Sequence, residues 1–184
     1  MEIICSPESL RITIPGYESR SLSLRILESQ PDAVIFTDRS EFNDELAVKL
    51  QKGKFSKILD CSIDLVPFQK LRENFFKEKI TTPELSVKKN MLDLIDDTIY
   101  NYLASYWRNY ETVNSEVTDS LFRAKHRLAS TVFYEIERDY WDAQNRKILE
   151  NLSGYMPKGN SIIITPVERR YWFQDYFSKN MPQF

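Results

Sequence analysis

Short apolar segments alternate with amphipathic ones over the first 65 residues. Continuous apolar runs are typical of strands buried on both faces, and strict alternation is typical of half-buried strands. Helical spacing of leucine and isoleucine predicts a helix over Ser19–Ser29, and a second helix from Ser40, which can cap it, to Gly53. Strands are predicted at 2–5, 10–14, 33–37 and 58–61. Strands that alternate with helices of about ten residues indicate βαβ units and a mainly parallel sheet.

The pattern changes near residue 65 and becomes that of long helices. A short charged and aromatic helix is predicted at 67–79. The sequence Thr-Pro-Glu at 82–84 is typical of a helix start, with a capping threonine and proline in the first turn. Apolar residues then recur every three or four positions to about residue 110, and a second helical stretch with a break extends over 115–152.

The last apolar run, Ser161–Thr165, predicts a final strand. Thr165, Pro166 and Glu168 match a capping box with proline at the first helical position, so a helix is predicted to begin directly after this strand. That helix mixes arginine with aromatic rings. We interpret it as a helix packed on the sheet with its arginines extended to solvent; a stacking surface for single-stranded nucleic acid is the alternative.

Composition narrows the classes of protein. The 184 residues carry a net charge of −2, which does not favour a nucleic-acid or membrane partner. Of these residues, 13% are aromatic, which predicts a core or an interface rich in rings. Two cysteines do not make a disulfide framework and favour a reducing, cytoplasmic location. The four glycines form neither a dinucleotide-binding nor a P-loop sequence. No apolar window approaches the roughly 20 residues that a membrane span requires.

Candidate binding residues follow from the predicted sheet. In an open α/β sheet, ligands bind beyond the carboxyl ends of the strands. The residues expected there, as contacts for a small polar ligand, are Arg20, Arg39, Asp60, Cys61 and Arg169. Polar residues also occur at strand ends without a ligand, and Cys61 is alternatively a buried, inert thiol. No metal and no cofactor is predicted.

The single histidine, His126, lies between basic residues of a predicted helix. No second histidine or cysteine lies near it in the sequence to complete a metal site or a catalytic pair. Its basic neighbours are expected to lower its pKa. We therefore interpret His126 as part of a solvated helix face, and we interpret the helical carboxylates Asp93, Asp96 and Asp97 in the same way.

Two stretches of the sequence carry a family resemblance. Residues 12–18 (ITIPGYE) lead through a helix to 31–38 (PDAVIFTD), and residues 137–141 (ERDYW) precede the final strand. They resemble the family of TraB-like, TIKI-like, ChaN-like and erythromycin-esterase-like proteins, although the histidines of that family are absent. The resemblance implies hydrolysis, metal-dependent in active relatives. It makes Glu18, Asp38 and Glu168 the candidate catalytic residues, with Glu18 as base or ligand and Asp38 as second ligand.

Taken together, the sequence predicts an α/β fold: a small, mainly parallel sheet with flanking helices and a long helical-hairpin insertion. Residues 67–152 form the mainly helical insertion in a single domain of residues 1–184. The leading hypothesis is a non-enzymatic binding or interaction protein on a Rossmann-like scaffold, which forms a homodimer through the insertion. The alternatives are a divergent hydrolase that uses strand-end carboxylates, and a nucleic-acid-binding protein that uses basic residues at 123–127 and 169–173.

Overall fold

A parallel sheet of four strands forms the centre of the fold. The computed structural model describes residues 1–38, 49–50, 57–155 and 160–180. The strands are β1 (Glu2–Cys5), β2 (Ala33–Phe36), β3 (Ile58–Asp60) and β4 (Ser161–Thr165). The longer helices are α1 (Ser19–Ser29), α2 (Val66–Lys79), α3 (Pro83–Tyr106), α4 (Glu116–Val132), α5 (Ala143–Ser153) and α6 (Arg170–Asn180). The predicted α/β class, with a parallel sheet and flanking helices, is confirmed.

The strand that comes last in the sequence lies inside the sheet. The strand order is β1-β4-β2-β3, so β4 pairs with β1 on one side and with β2 on the other. Its Ile163 is level with Ile3 of β1 and with Ile35 of β2. Every residue of β4 is buried, because helices cover both faces, and its three consecutive isoleucines suit that position.

Helices cover the two faces of the sheet. Successive residues of a strand point to opposite faces, so β4 contributes to two separate apolar clusters. Ile164 packs in one cluster with Leu22 and Ile26 of α1. Ile163 packs in the other with Ile148 of α5 and with Phe173 of α6. The predicted packing of the final helix on the sheet is therefore confirmed, but the prediction that its arginines extend to solvent is wrong, because Arg169 and Arg170 are both buried.

The inserted helices α2 to α5 lie between β3 and β4 in the chain, and α3 packs against α4. A third apolar cluster joins them to the edge of the sheet, where Tyr100 and Leu103 of α3 pack with Phe122 of α4 and with Cys5 of β1. Trp107, the residue after α3, is almost fully buried, and its Nε1 donates a hydrogen bond to Thr118 Oγ1 at 3.0 Å.

Two helices begin where local signals predict them. Helix α1 has the predicted bounds, Ser19–Ser29. Helix α3 begins at Pro83, and the side chain of Thr82 accepts a hydrogen bond from the backbone N–H of Leu85 at 3.3 Å. The capping interaction that the sequence predicts is therefore present.

The predicted strand at 10–14 is wrong. A 3₁₀ turn, Pro7–Ser9, ends the path of β1, and residues 10–14 form an irregular segment. Leu10 and Ile14 are buried against the inserted helices. Alternate side chains are thus buried by helices rather than by a neighbouring strand. The segment therefore has the two-residue hydrophobic period of a strand but not the hydrogen bonds of one.

The predicted capping box at Thr165 is also wrong. The Oγ1 of Thr165 lies 2.9 Å from that of Thr37, the residue after the neighbouring strand β2, and is buried there. Residues 167–169 form a turn, and α6 begins only at Arg170. The side chain of Glu168 is therefore free of a capping role and lies among the inserted helices.

The long helical stretches are divided more often than predicted. Helix α3 ends at Tyr106 because Trp107 takes an extended conformation. The second stretch is interrupted at Phe133 and continues through a π-helix, Glu137–Asp142, before α5. The helix predicted from Ser40 to Gly53 lies outside the described residues, apart from residues 49–50. Within the described ranges, no helix combines the length and the apolar character needed to cross a membrane.

Candidate functional site

The three candidate catalytic carboxylates line three different cavities. Glu18 and Arg20 line a cavity of about 500 Å³ beside α1. Asp38 and Asp60 line one of about 560 Å³ at the carboxyl ends of β2 and β3. Glu168 lines a third, of about 360 Å³, among the inserted helices. The structure does not bring these carboxylates together.

Glu18 lies in the turn before α1. Its carboxylate accepts hydrogen bonds from the backbone N–H of Gly16 at 3.3 Å and from Ser21 Oγ at 3.2 Å. Gly16 has a φ of +78°, a conformation that glycine adopts without strain. Glu18 therefore closes the turn that leads into α1, next to Tyr17, whose hydroxyl donates a hydrogen bond to the carbonyl of Cys5 at the carboxyl end of β1.

The carboxyl ends of β2 and β3 do meet, as the parallel arrangement requires. Asp38 and Asp60 line one cavity there. The Asp60 carboxylate accepts a hydrogen bond from the N–H of Ser62 at 2.9 Å, and Asp64 accepts one from the N–H of Val66 at 3.0 Å. These bonds shape the turn between β3 and α2. Arg39, which was predicted beside Asp38, lies outside the described residues.

Cys61 and Arg169 are parts of the interior. Burial, with the Asp60 carboxylate nearby, raises the pKa of the Cys61 thiol to about 11, so the thiolate is not available near neutral pH. The guanidinium of Arg169 is buried, donates hydrogen bonds to Asn145 and Gln144 of α5, and lies 4.8 Å from the ring centre of Trp141. Its guanidinium therefore helps to hold α5 to the turn before α6.

The cavity of about 360 Å³, which we name the helical cleft, is the most highly charged of those described. It lies between α2, α3, α4 and the π-helix, with the turn before α6 at one side. Five basic and four acidic residues line it together with aromatic and aliphatic side chains. The lining acids and their basic partners are Asp93 with Lys89 (2.5 Å), Asp96 with Arg11 (2.6 Å), Glu168 with Lys125 (2.9 Å) and Glu137 with His126 (2.9 Å).

The interpretation of His126 as solvated is wrong. Only 10% of its side chain is exposed, and its ring stacks on Trp141 with centres 3.9 Å apart and planes at 12°. Its Nδ1 lies 2.9 Å from Glu137 Oε2. Its Nε2 is buried and has no hydrogen-bond partner among the described residues, with Glu168 Oε2 3.7 Å away.

The pKa of His126 is raised above its usual 6.5, not lowered. Burial alone lowers it, but the carboxylates of Glu137 and Glu168 outweigh burial because they favour the imidazolium. Of the basic neighbours in the sequence, Lys125 does lower the pKa of His126, but the two carboxylates outweigh it, and other neighbours face partners elsewhere. Arg123 pairs with Asp175 of α6, for example, at 2.8 Å.

Glu168 joins the helical cleft to the core. Its carboxylate accepts hydrogen bonds from Tyr100 Oη at 2.7 Å and from Lys125 Nζ at 2.9 Å. Burial alone raises its pKa, but His126, Lys125 and Tyr100 together hold it well below the usual value. Glu168 is therefore ionised over the physiological range of pH. Lys125 in turn also pairs with Asp96 of α3.

The π-helix, Glu137–Asp142, shapes one wall of the cleft. Its Glu137 and Trp141 both contact His126, one through the carboxylate and one through the indole ring. Trp141 is thereby held between His126 and the guanidinium of Arg169. Short π-helical segments occur frequently at functional sites.

Sequence reasoning missed this cleft because its members are far apart in the chain. His126, Glu137 and Glu168 come from α4, the π-helix and the turn before α6. The family resemblance gave two signals that pointed toward it: Glu168 was a candidate catalytic residue, and Glu137 belongs to one of the stretches that carry the resemblance. Of the helical acids assigned to a solvated face, Asp97 is mostly exposed, whereas Asp96 is mostly buried in the cleft wall.

Both basic stretches that could have bound nucleic acid are largely engaged within the fold. Arg123 pairs with Asp175, and Arg170 is buried, where it pairs with Asp119 at 2.5 Å and donates to the carbonyl of Ile3 at 2.9 Å. These cations contact carboxylates and backbone that belong to the protein itself, and they do not form an open basic surface.

Comparisons with known proteins give no match: no protein-family model fits the chain, and neither the curated proteins nor the solved structures contain a significant relative.

Proposed function

We propose that the protein binds a small polar ligand in the helical cleft. One observation carries the proposal: His126 lines this cleft, is about nine-tenths buried, and has an Nε2 without a hydrogen-bond partner among the described residues. Buried polar atoms in proteins are almost always satisfied, and an orphaned one in a cavity wall is a favourable place for a ligand atom.

The surroundings of His126 support a binding role because they fix the ring before any ligand arrives. Trp141 stacks on one face of the ring, and Glu137 holds Nδ1. A ligand that accepts or donates a hydrogen bond at Nε2 therefore meets a ring that is already oriented, and binding costs the ring little further conformational entropy. The cleft volume of about 360 Å³ lies within the range for small-molecule sites.

The experiment uses the fact that His126 is the only histidine. In tag-free protein labelled with ¹⁵N and ¹³C, the single set of imidazole signals reports on the cleft without ambiguity. Glycerol, glycine, succinate and inorganic phosphate are titrated separately at constant ionic strength. We expect saturable shifts of the imidazole signals with at least one compound.

Variants complete this test. Calorimetry with the compound that shifts the signals should give at least a tenfold weaker dissociation constant for His126→Gln, which keeps most of the volume of the ring. Glu18→Gln, which changes a different cavity, is the matched control and should bind like the wild type. If none of the four compounds shifts the imidazole signals, the proposal is wrong.

Self-association through the inserted helices is a second proposal, favoured by a separate observation. Helix α3 is 24 residues long, or about 36 Å. Its outer face carries four large apolar side chains, each more than half exposed: Val87, Met91, Leu94 and Tyr102. Their spacing of four, three and eight residues places them along one side of the helix. An apolar stripe of this kind is typical of a helix that pairs with another.

Light scattering coupled to size exclusion, over a range of micromolar concentrations, tests this pairing. A homodimer has twice the chain mass of 21.8 kDa. Leu94→Lys should return the protein to a monomer, whereas Val66→Lys, at an exposed apolar position of α2, should leave the dimer intact. A wild-type protein that stays monomeric throughout would exclude self-association.

A further inference from the structure

The charges around the helical cleft are balanced except at one position. Each of the four lining carboxylates has a basic partner within 4.0 Å, and these pairs account for four of the five basic residues. The fifth is Arg72 of α2. Among the described residues, no carboxylate lies within 4.0 Å of Arg72, whose described interactions are with aromatic rings.

Two rings hold Arg72 at the mouth of the cleft. Its guanidinium carbon lies 5.5 Å from the ring centre of Tyr140 and 5.6 Å from that of Phe76. Contacts of this type fix the position of a guanidinium while leaving its N–H groups available, because the ring face accepts no conventional hydrogen bond. Arg72 is itself exposed, so a ligand can reach it from solvent.

We propose that the ligand of the helical cleft is an anion whose carboxylate or phosphate group is bound by Arg72, while a polar atom at its other end meets His126. This inference rests on the proposed function and specifies the chemical class of the ligand. A planar guanidinium with five donors matches the oxygens of a carboxylate or a phosphate, which it binds in a bidentate manner. The excess positive charge at the mouth disfavours a cationic ligand.

Succinate and inorganic phosphate are the two probes, and they distinguish a carboxylate from a phosphate as the bound group. Binding is measured by calorimetry, with sodium chloride added to equalise ionic strength. We expect one of the two anions to bind the wild type and Arg72→Ala to weaken that binding at least tenfold. Arg72→Lys should recover part of the loss, because lysine keeps the charge but not the bidentate geometry.

Arg146→Ala is the matched control. Arg146 is exposed on α5, outside the lining of the described cavities, and its loss changes the net charge by the same amount. Its binding constant should equal that of the wild type. If Arg146→Ala and Arg72→Ala weaken binding equally, the effect is one of net charge and the inference about Arg72 is wrong.

The test separates this inference from the proposed function. If neither anion binds but glycerol or glycine shifts the His126 signals, the cleft binds a ligand and the assignment of an anion is wrong. If an anion binds, Arg72→Ala has no effect and His126→Gln weakens binding, the cleft is the site but Arg72 does not hold the anion. If no compound shifts the signals, both proposals fail.

Discussion

Replacing Glu168 with glutamine should destabilise the protein through the loss of one charge. Glutamine keeps the size of the side chain and one acceptor oxygen, so no cavity is created. Glu168 accepts hydrogen bonds from Tyr100 and Lys125. A hydrogen bond to a charged group contributes about 1.5–3 kcal/mol and a neutral one about 0.5–1.5 kcal/mol. The bond from Tyr100 therefore loses roughly 1 kcal/mol, and the bond from Lys125 loses the attraction between opposite charges, which brings the total to roughly 2 kcal/mol.

Solvent reduces that figure, since 24% of the Glu168 side chain is exposed. We therefore expect a loss of about 1–2 kcal/mol in the free energy of unfolding, or a decrease of roughly 2–8 °C in Tm for a chain of this length. Urea unfolding at pH 7 measures it. Glu18→Gln, which removes a carboxylate from an exposed turn, is the control and should lose less than about 0.5 kcal/mol.

The pH dependence of this loss of stability tests whether the charge of Glu168 causes it. The pKa of Glu168 in the folded protein is well below its usual value of 4.5. Its ionised form therefore contributes stability that is fully present above pH 4.5 and is lost as the pH falls toward the folded pKa. The difference in the free energy of unfolding between the wild type and Glu168→Gln should therefore become smaller as the pH falls below 4.5. A loss equal to that of Glu18→Gln, or one that stays constant down to low pH, would refute the reasoning.

Two further predictions concern His126 and Cys61. The imidazole of His126 should titrate above pH 6.5 by NMR in the wild type, and at a lower pH in Glu137→Gln. Its contribution to the free energy of unfolding should be complete below pH 6.5 and should fall as the pH rises through the folded pKa. A titration below pH 6.5 in the wild type would contradict this. Cys61, with a pKa of about 11 and a buried thiol, should resist iodoacetamide at pH 7.5 in the folded protein and react after unfolding in urea, as followed by mass spectrometry. Equal reaction rates in both states would show that the thiol is accessible.

The sequence predicted correctly those helices and strands that are decided by residues close together in the chain. The bounds of α1 follow from its apolar spacing, and the start of α3 follows from the Thr82 cap. The buried strands follow from their runs of isoleucine and valine. In each case the residues that decide the structure lie within a few positions of one another.

The errors arose where a distant residue decides the structure. Thr165 cannot cap a helix because its hydroxyl meets Thr37, 128 positions earlier in the chain. His126 cannot be solvated because the π-helix places Glu137 and Trp141 against it, and no signal in the sequence marks that change of helical pitch. Without the strand order, the approach of Glu168 to the inserted helices could not be predicted either.

The place of β4 between β1 and β2 has a consequence for synthesis on the ribosome. The strands β1 and β2 do not pair with each other; β1 pairs with β4 alone, whereas β2 also pairs with β3. As the chain emerges from its amino end, β1 has no partner strand until Ser161–Thr165 has been made, nearly the whole length later. The apolar residues of β1 therefore stay without their partner strand while the residues between Cys5 and Ser161 are synthesised, a period when association with other chains competes with folding.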